Sequence, residues 1–231
     1  MDDRPELWVT QLGRLSYADG LALQEELRAL RQAGAIPDTL LLLEHPPVYT
    51  RGRRTLASDL PMGEDWYRMQ GVEVEDVDRG GRVTYHGPGQ LVGYPIMRIG
   101  DVVDYLRTME RGLIAALADE GVEAQIRDGL TGVWVDDRKI GSIGVHVQKG
   151  VTTHGWAINV DNDLQPFEWI VPCGIDNVRM TNLYKETGHP GGMGCFRKRA
   201  AWRFAEAYGL RQRIVSLERL RSAAPVASLT A

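Results

Sequence analysis

Two cysteines in 231 residues are too few for a disulfide framework, and a chain of this length buries a full core without one. Both thiols are expected to stay free in a reducing compartment, where a free thiol is available as a nucleophile. No apolar run approaches the roughly 20 residues that span a bilayer, so a membrane protein is not expected. The first residues, MDDRPELWVT, carry acids where a secretory signal carries lysines, and no apolar stretch follows, which makes the cytoplasm the expected compartment. A basic excess is also missing. Against 31 Asp and Glu stand 27 Lys and Arg, a formal charge of −4 that argues against a dedicated nucleic-acid binder. There is no G-x-x-x-x-G-K-[ST] phosphate loop, and GPGQLVG, from Gly87 to Gly93, misses the spacing of a dinucleotide fingerprint and leads into a proline. His146, His154 and a cysteine lack the short paired spacings of zinc sites, so no metal and no cofactor are expected. Internal repeats are absent.

What is present reads as one globular domain. Leu7 to Thr10 is a short apolar strand, and SYADGLALQEELRALRQAG then places Leu23, Leu27 and Leu30 at helical spacing, with Gly34 as a stop. TLLLL, from Thr39 to Leu43, is too short for a helix and reads as a buried strand closed by EHPP. A second helix is expected from about Val103 to Glu120, with Leu106, Met109, Leu113 and Leu117 on one stripe and Gly121 ending it. From Thr131 onward GVWV, a turn at Asp136, Asp137 and Arg138, KIGSIGVHV, a short loop and VTTHGWAINV predict two adjacent hairpins. A third helix, from about Phe196 to Tyr208, follows GGMG. The expected class is α+β, a mixed, largely antiparallel sheet with helices packed on it. Residues 1–210 form the domain, and 211–231 a C-terminal extension whose tail, SAAPVASLTA, is frayed.

Three stretches can carry chemistry. Between Arg79 and Gly93 lie five glycines among alternating side chains, which lets another group approach the backbone; a bulged strand with a turn is the plain alternative. Lys139 opens KIGSIGVHV, and a period of two sets it on the face of Gly141, Ile143 and Val145. A lysine there ordinarily snorkels to water, but one held over the sheet loses solvation and becomes a candidate base. Cys173, in IVPCGID, sits between Pro172 and Gly174. A lone cysteine is most often a small buried hydrophobe. These flanks instead suit a tight, partly exposed turn, which can aim the N–H of Cys173 or Gly174 at a developing oxyanion. Cys195, in GGMGCFRK, has no such flanks and reads as structural. The basic clusters Arg51, Arg53, Arg54 and Arg197, Lys198, Arg199 are either solvated faces or a dock for an acidic partner.

In order along the chain stand EHPPVYT (from Glu44), RGGRVTYHGPGQLVGYP (from Arg79), KIGSIGVHV (from Lys139), THGWAINV (from Thr153) and PCGI (from Pro172). With these five segments the sequence resembles the octanoyltransferases of lipoate biosynthesis over about residues 5–210. The resemblance implies the fold of the biotin and lipoate ligases, a single catalytic domain and no cofactor. It implies a cysteine nucleophile at Cys173 and a partner lysine at Lys139. It also implies an acyl group held by Arg79, Gly80, Gly81, Arg82, Val83, Thr84, Tyr85 and His86, by Ser142, Ile143 and Gly144, and by Gly155, Trp156 and Ala157. The implied donor is octanoyl-acyl carrier protein. The implied acceptors are the lipoyl domains of 2-oxoacid dehydrogenase complexes and the glycine cleavage H protein. The sequence departs from the family at Arg51, often an apolar position, and matches no family motif beyond about Leu210.

On that reading the Cys173 thiolate takes the octanoyl group as a thioester and passes it to a lysine, with Lys139 moving the protons. Two rivals remain. An ATP-dependent lipoate or biotin ligase on the same fold would use a lysine but activate its acid as an adenylate. A non-catalytic binder of lipoyl domains or acyl carriers would keep the fold and form no acyl adduct. A papain-like protease would need a histidine partner that no motif supports.

Overall fold

The computed structural model describes residues 3–174, 178–189 and 192–222. The N-terminal half runs through β1 (Glu6–Arg14), α1 (Tyr17–Gln32), β2 (Asp38–Glu44), β3 (Val48–Arg51), α2 (Glu64–Met69), β4 (Glu73–Asp76), β5 (Thr84–His86) and β6 (Gln90–Ile96). It continues with α3 (Val102–Ala118), β7 (Gln125–Arg127), β8 (Leu130–Val135), β9 (Arg138–Gln148), β10 (Val151–Asn159) and α4 (Gln165–Glu168). The chain closes with β11 (Arg179–Met180), α5 (Leu183–Thr187), α6 (Met193–Ala207), β12 (Arg211–Ile214) and α7 (Leu217–Ser222).

Local chemistry explains the main elements. Ser16 caps α1 by accepting from the Asp19 N–H, and Asp101 caps α3 by accepting from the Asp104 N–H. The β9–β10 hairpin closes through Lys149 (φ 50°) and Gly150 (φ 75°), the left-handed pair whose twist matches that of the strands. β8, β9 and β10 are therefore the two adjacent hairpins expected from the sequence.

The main sheet has the order β12-β1-β2-β6-β10-β9-β8-β7, with β11 alongside β9. β1 pairs in parallel with β2 and β12, and β11 with β9; the other pairs are antiparallel. Helices cover both faces. Leu40 and Leu42 join Met109, Leu113 and Phe204 in one core with α3 and α6, while Leu41 and Leu43 join Leu27 and Leu220 in another with α1 and α7. TLLLL lacks alternation because both of its faces are buried, each leucine contributing about 1.5–3 kcal/mol. A small sheet, β4-β3-β5, builds a third core from Tyr49, Tyr67, Val83, Tyr85, Phe167 and Ile170.

Two boundaries differ from the sequence reading. The last long helix begins at Met193, ahead of the expected Phe196, while Gly191 of GGMG lies outside the described residues. Residues 211–222, read as part of an extension, instead add β12 to the sheet edge and bury Leu220, because their backbone finds the open edge of β1. Residues 223–231 lie outside the described residues. Among the described residues no helix is long and apolar enough to cross a membrane.

Candidate active site

Lys139 reaches the site through an irregularity in β9. Val133 pairs with Gly141 but Trp134 pairs with Lys139, so Ile140 is an extra residue, a β-bulge. Neighbours on β8 point to opposite faces, so Lys139 and Gly141 do as well. The period-two expectation that Lys139 shares the face of Gly141, Ile143 and Val145 is thus corrected: the bulge puts it on the face of Trp134 and Ser142. There Lys139 is buried, and its Nζ lies 3.0 Å from Cys173 Sγ.

Cys173 occupies a turn, Pro172–Gly174, as its flanks predicted, and holds a left-handed conformation at φ 58° and ψ 10°. A non-glycine residue pays for that geometry, which is characteristic of strained functional positions. Contacts around the turn hold it in place. The Arg82 guanidinium forms a forked pair with buried Asp59, and Arg82 lies against Gly174, where a Cβ would fall 2.2 Å from Arg82 Cδ. The Asp59 carbonyl accepts from the Val171 N–H at 2.9 Å. The expected use of the turn's amides as an oxyanion hole is not met. The Cys173 N–H donates to the Val83 carbonyl at 2.9 Å and the Gly174 N–H to the Val171 carbonyl at 3.2 Å, so neither is free. Ile175 of PCGI lies outside the described residues.

Burial pushes the Cys173 thiol up, but the Lys139 ammonium, helped by Arg79 and the Ser142 hydroxyl, outweighs it and holds the thiol below its ordinary range. The pair opens onto a pocket of about 510 Å³. Of the residues the sequence assigned to the acyl group, Arg79, Gly80, Gly81, Arg82, Thr84, His86, Ser142, Ile143, Gly144, Gly155, Trp156 and Ala157 line it. Val83 and Tyr85 do not. They alternate to the other side of their strand and pack with Tyr49 and Phe167 in the small-sheet core. Past Gly141, β9 loses β8 as a neighbour and the Gly80 N–H donates to its Val145 carbonyl instead, at 2.9 Å. Gly144 allows this approach, since a Cβ there would sit 2.9 Å from the Gly80 carbonyl oxygen.

A sequence profile of the lipoyl protein ligase A/B catalytic domain matches residues 16–205. The chain is 47% identical to an octanoyltransferase of Acidobacterium capsulatum, covering 76% of this chain and 78% of that one. It is 46% identical to one of Syntrophotalea carbinolica, covering 85% and 92%. The chain belongs to the octanoyltransferase family. It is an acyltransferase, and octanoyl transfer in lipoate biosynthesis is the family's activity. The fold is also that of more distant proteins. A bi-partite lipoate protein ligase from Thermoplasma acidophilum superposes with a TM-score of 0.75 at 18% identity, over 95% of this chain and 91% of that one. A lipoate-protein ligase A bound with ATP gives 0.69 at 17% identity, over 96% and 92%.

This octanoyltransferase-family pocket has two kinds of wall. Val102 and Leu106 of α3, with Leu130, Ile143, Val145 and Trp156, make an apolar side suited to an alkyl chain. Tyr17, Tyr94, His86 and His154 make a buried polar side. His86 Nδ1 lies 2.8 Å from Gln90 Oε1, and burial pushes this imidazole down to about 3. His154, at φ 56°, places Nε2 2.7 Å from Asp78 Oδ1 and Nδ1 3.3 Å from the Tyr17 hydroxyl; burial pushes it down to about 4 against the opposing pull of Asp78. Both rings are neutral at neutral pH.

Sequence reasoning missed Tyr17, Tyr94 and the α3 wall, because a tyrosine or leucine on a helical stripe, or a tyrosine in a buried strand such as β6, reads as ordinary core. His154 lay inside THGWAINV, where its motif position was the available signal. Of the basic clusters, Arg51 pairs with Asp76 and Glu64, and Arg197 and Arg199 pair with Glu44 and Glu120, while Arg54 lines the pocket. Cys195 lies exposed in the first turn of α6.

Proposed function

We propose that this enzyme carries octanoyl from acyl carrier protein, through a thioester on Cys173, to the target lysine of lipoyl domains, including those of 2-oxoacid dehydrogenase complexes and the glycine cleavage H protein. Lys139 is the general acid and base. The observation that carries the reading is the 3.0 Å contact between the buried Lys139 ammonium and the Cys173 thiol at the wall of a partly apolar pocket. Free thiols suit a reducing compartment, so the reaction is assigned to the cytoplasm.

The Cys173 thiolate attacks the donor carbonyl, and the Lys139 ammonium meets the oxyanion that forms. The donor C–S bond then breaks, and the leaving carrier thiolate takes a proton from Lys139. Lys139 is now neutral. When the acceptor's neutral amine attacks the acyl-enzyme, the C–N bond forms, the bond to Cys173 Sγ breaks, and the amine's surplus proton moves to Lys139. The thiolate and ammonium are restored together. An octanoyl tail buried on the apolar wall contributes about 5 kcal/mol, so shortening it by two carbons costs about tenfold in affinity.

Intact-protein mass spectrometry after exposure to octanoyl-carrier tests the reading. Wild type is expected to gain an octanoyl adduct that Cys173→Ser lacks. An adduct mapped to Cys195 would overturn the site, and acylation with pyrophosphate release that requires ATP and free octanoate would favour a ligase instead.

A further inference from the structure

With the amides of Cys173 and Gly174 already donating within the fold, those two groups do not meet negative charge at the reacting centre, and charged side chains around the thiol can. Lys139 supplies one positive charge but gives it up each time it protonates the leaving group. Arg79 supplies another that does not cycle. Its side chain is buried, and among the described residues no carboxylate pairs with it. The neighbouring Asp78 turns instead to His154 and His146. The Arg79 guanidinium is held by uncharged oxygens: Nη2 donates to the Thr50 carbonyl at 2.7 Å and to Thr50 Oγ1 at 2.8 Å, and Nη1 to the Gly80 carbonyl at 3.0 Å. One Nη1–H remains unassigned among these bonds. Burying a cation without a counter-ion is costly, and Arg79 lines the same pocket as Cys173.

We propose that Arg79 is a fixed positive charge whose field stabilises the Cys173 thiolate, and the oxyanion that follows it, throughout the proton cycle of Lys139. The inference rests on the nucleophilic role assigned to Cys173. It makes Arg79 a positioning residue for charge rather than only a wall for the acyl chain. Burial holds the Arg79 guanidinium below its ordinary range against the attraction of the Cys173 thiolate, and the same attraction helps to lower the thiol. Among the described residues, the other charged groups around Cys173 are Lys139, Arg54 and the Arg82–Asp59 pair. His86, His154, Tyr17 and Tyr94 face the pocket as neutral groups.

The test is the pH dependence of Cys173 alkylation by iodoacetamide in a Cys195→Ser background, so that one thiol reports. Arg79→Gln keeps an N–H donor for the Thr50 and Gly80 carbonyls but removes the charge. It is expected to move the alkylation midpoint about one pH unit alkaline and to slow octanoylation at neutral pH. Arg79→Lys keeps the charge, and its alkylation midpoint is expected to stay close to that of wild type. Should Arg79→Gln not fold, Arg79→Met is the second neutral variant. A folded neutral variant with an unmoved midpoint overturns the proposal, as does equal impairment of the Gln and Lys variants, which would mark a structural role. A shifted midpoint in a protein whose wild type forms no octanoyl adduct would support the field of Arg79 while overturning the catalytic reading, so the two failures are distinct.

Discussion

Lys139 is a large, fully enclosed side chain whose ammonium faces a thiol and, at 5.5 Å, the ring of Trp134. Losing it removes the strongest influence holding the Cys173 thiol low and leaves Arg79 and the Ser142 hydroxyl against burial, which acts in the opposite direction. The thiolate fraction rises with pH, so Lys139→Ala is expected to acylate slowly at neutral pH and to recover in part as pH rises. Stopped-flow acylation across pH checks this; full activity of the variant at neutral pH would remove Lys139 as the base. In the sequence Cys173 stood out by its Pro and Gly flanks and Lys139 by its place at the start of a strand, and the family resemblance named them as partners. Spacing alone could not pair them, because 34 residues separate them and no periodicity links a turn to a strand.

At the scale of elements, the edge of β9 matters as much as the bulge. Beyond Gly141 it is covered by the Arg79–Gly80 backbone rather than by a strand, and Gly144 leaves room for that contact. Gly144→Val would bring a side chain against the Gly80 carbonyl, a backbone atom that cannot swing aside. This is expected to displace residues 79–81 from the pocket and lower octanoylation kcat/KM by at least tenfold, with the melting temperature measured alongside to separate local displacement from unfolding. Unchanged kcat/KM would mean that this contact does not shape the site. The long helices and both hairpins were legible because their apolar periods and turn residues are local. The strands β3, β4 and β5 were not assigned individually, and β12, whose RQRI carries two arginines, pairs only because β1 offers it an edge.

For the whole molecule, two histidines buried as neutral groups link folding to pH. His86 is pushed down to about 3 and His154 to about 4 from an ordinary 6.5, so below that ordinary value the unfolded chain binds protons that the folded chain refuses. Their contribution is fully present above about pH 6.5 and is lost as pH falls toward 4 and 3. Urea unfolding is expected to show stability declining over that window, less steeply in His86→Gln; equal slopes for variant and wild type would contradict it. The pocket these rings face lies among the main sheet, α1, α3 and the segment leading into β5, elements far apart in the chain.

The sequence by itself determined the candidate site residues, the long helices, the hairpins and the family, since each is written in local spacing or in a run of motifs. Tertiary structure alone decided on which face Lys139 stands, that the Cys173 and Gly174 amides are already engaged, that Val83 and Tyr85 turn away from the pocket, and that Arg79 is buried with no carboxylate paired to it among the described residues. The physical reason is common to all four. A side chain's direction, an amide's acceptor and a charge's neighbours depend on which distant strand or loop completes the pairing, and no residue carries that information alone.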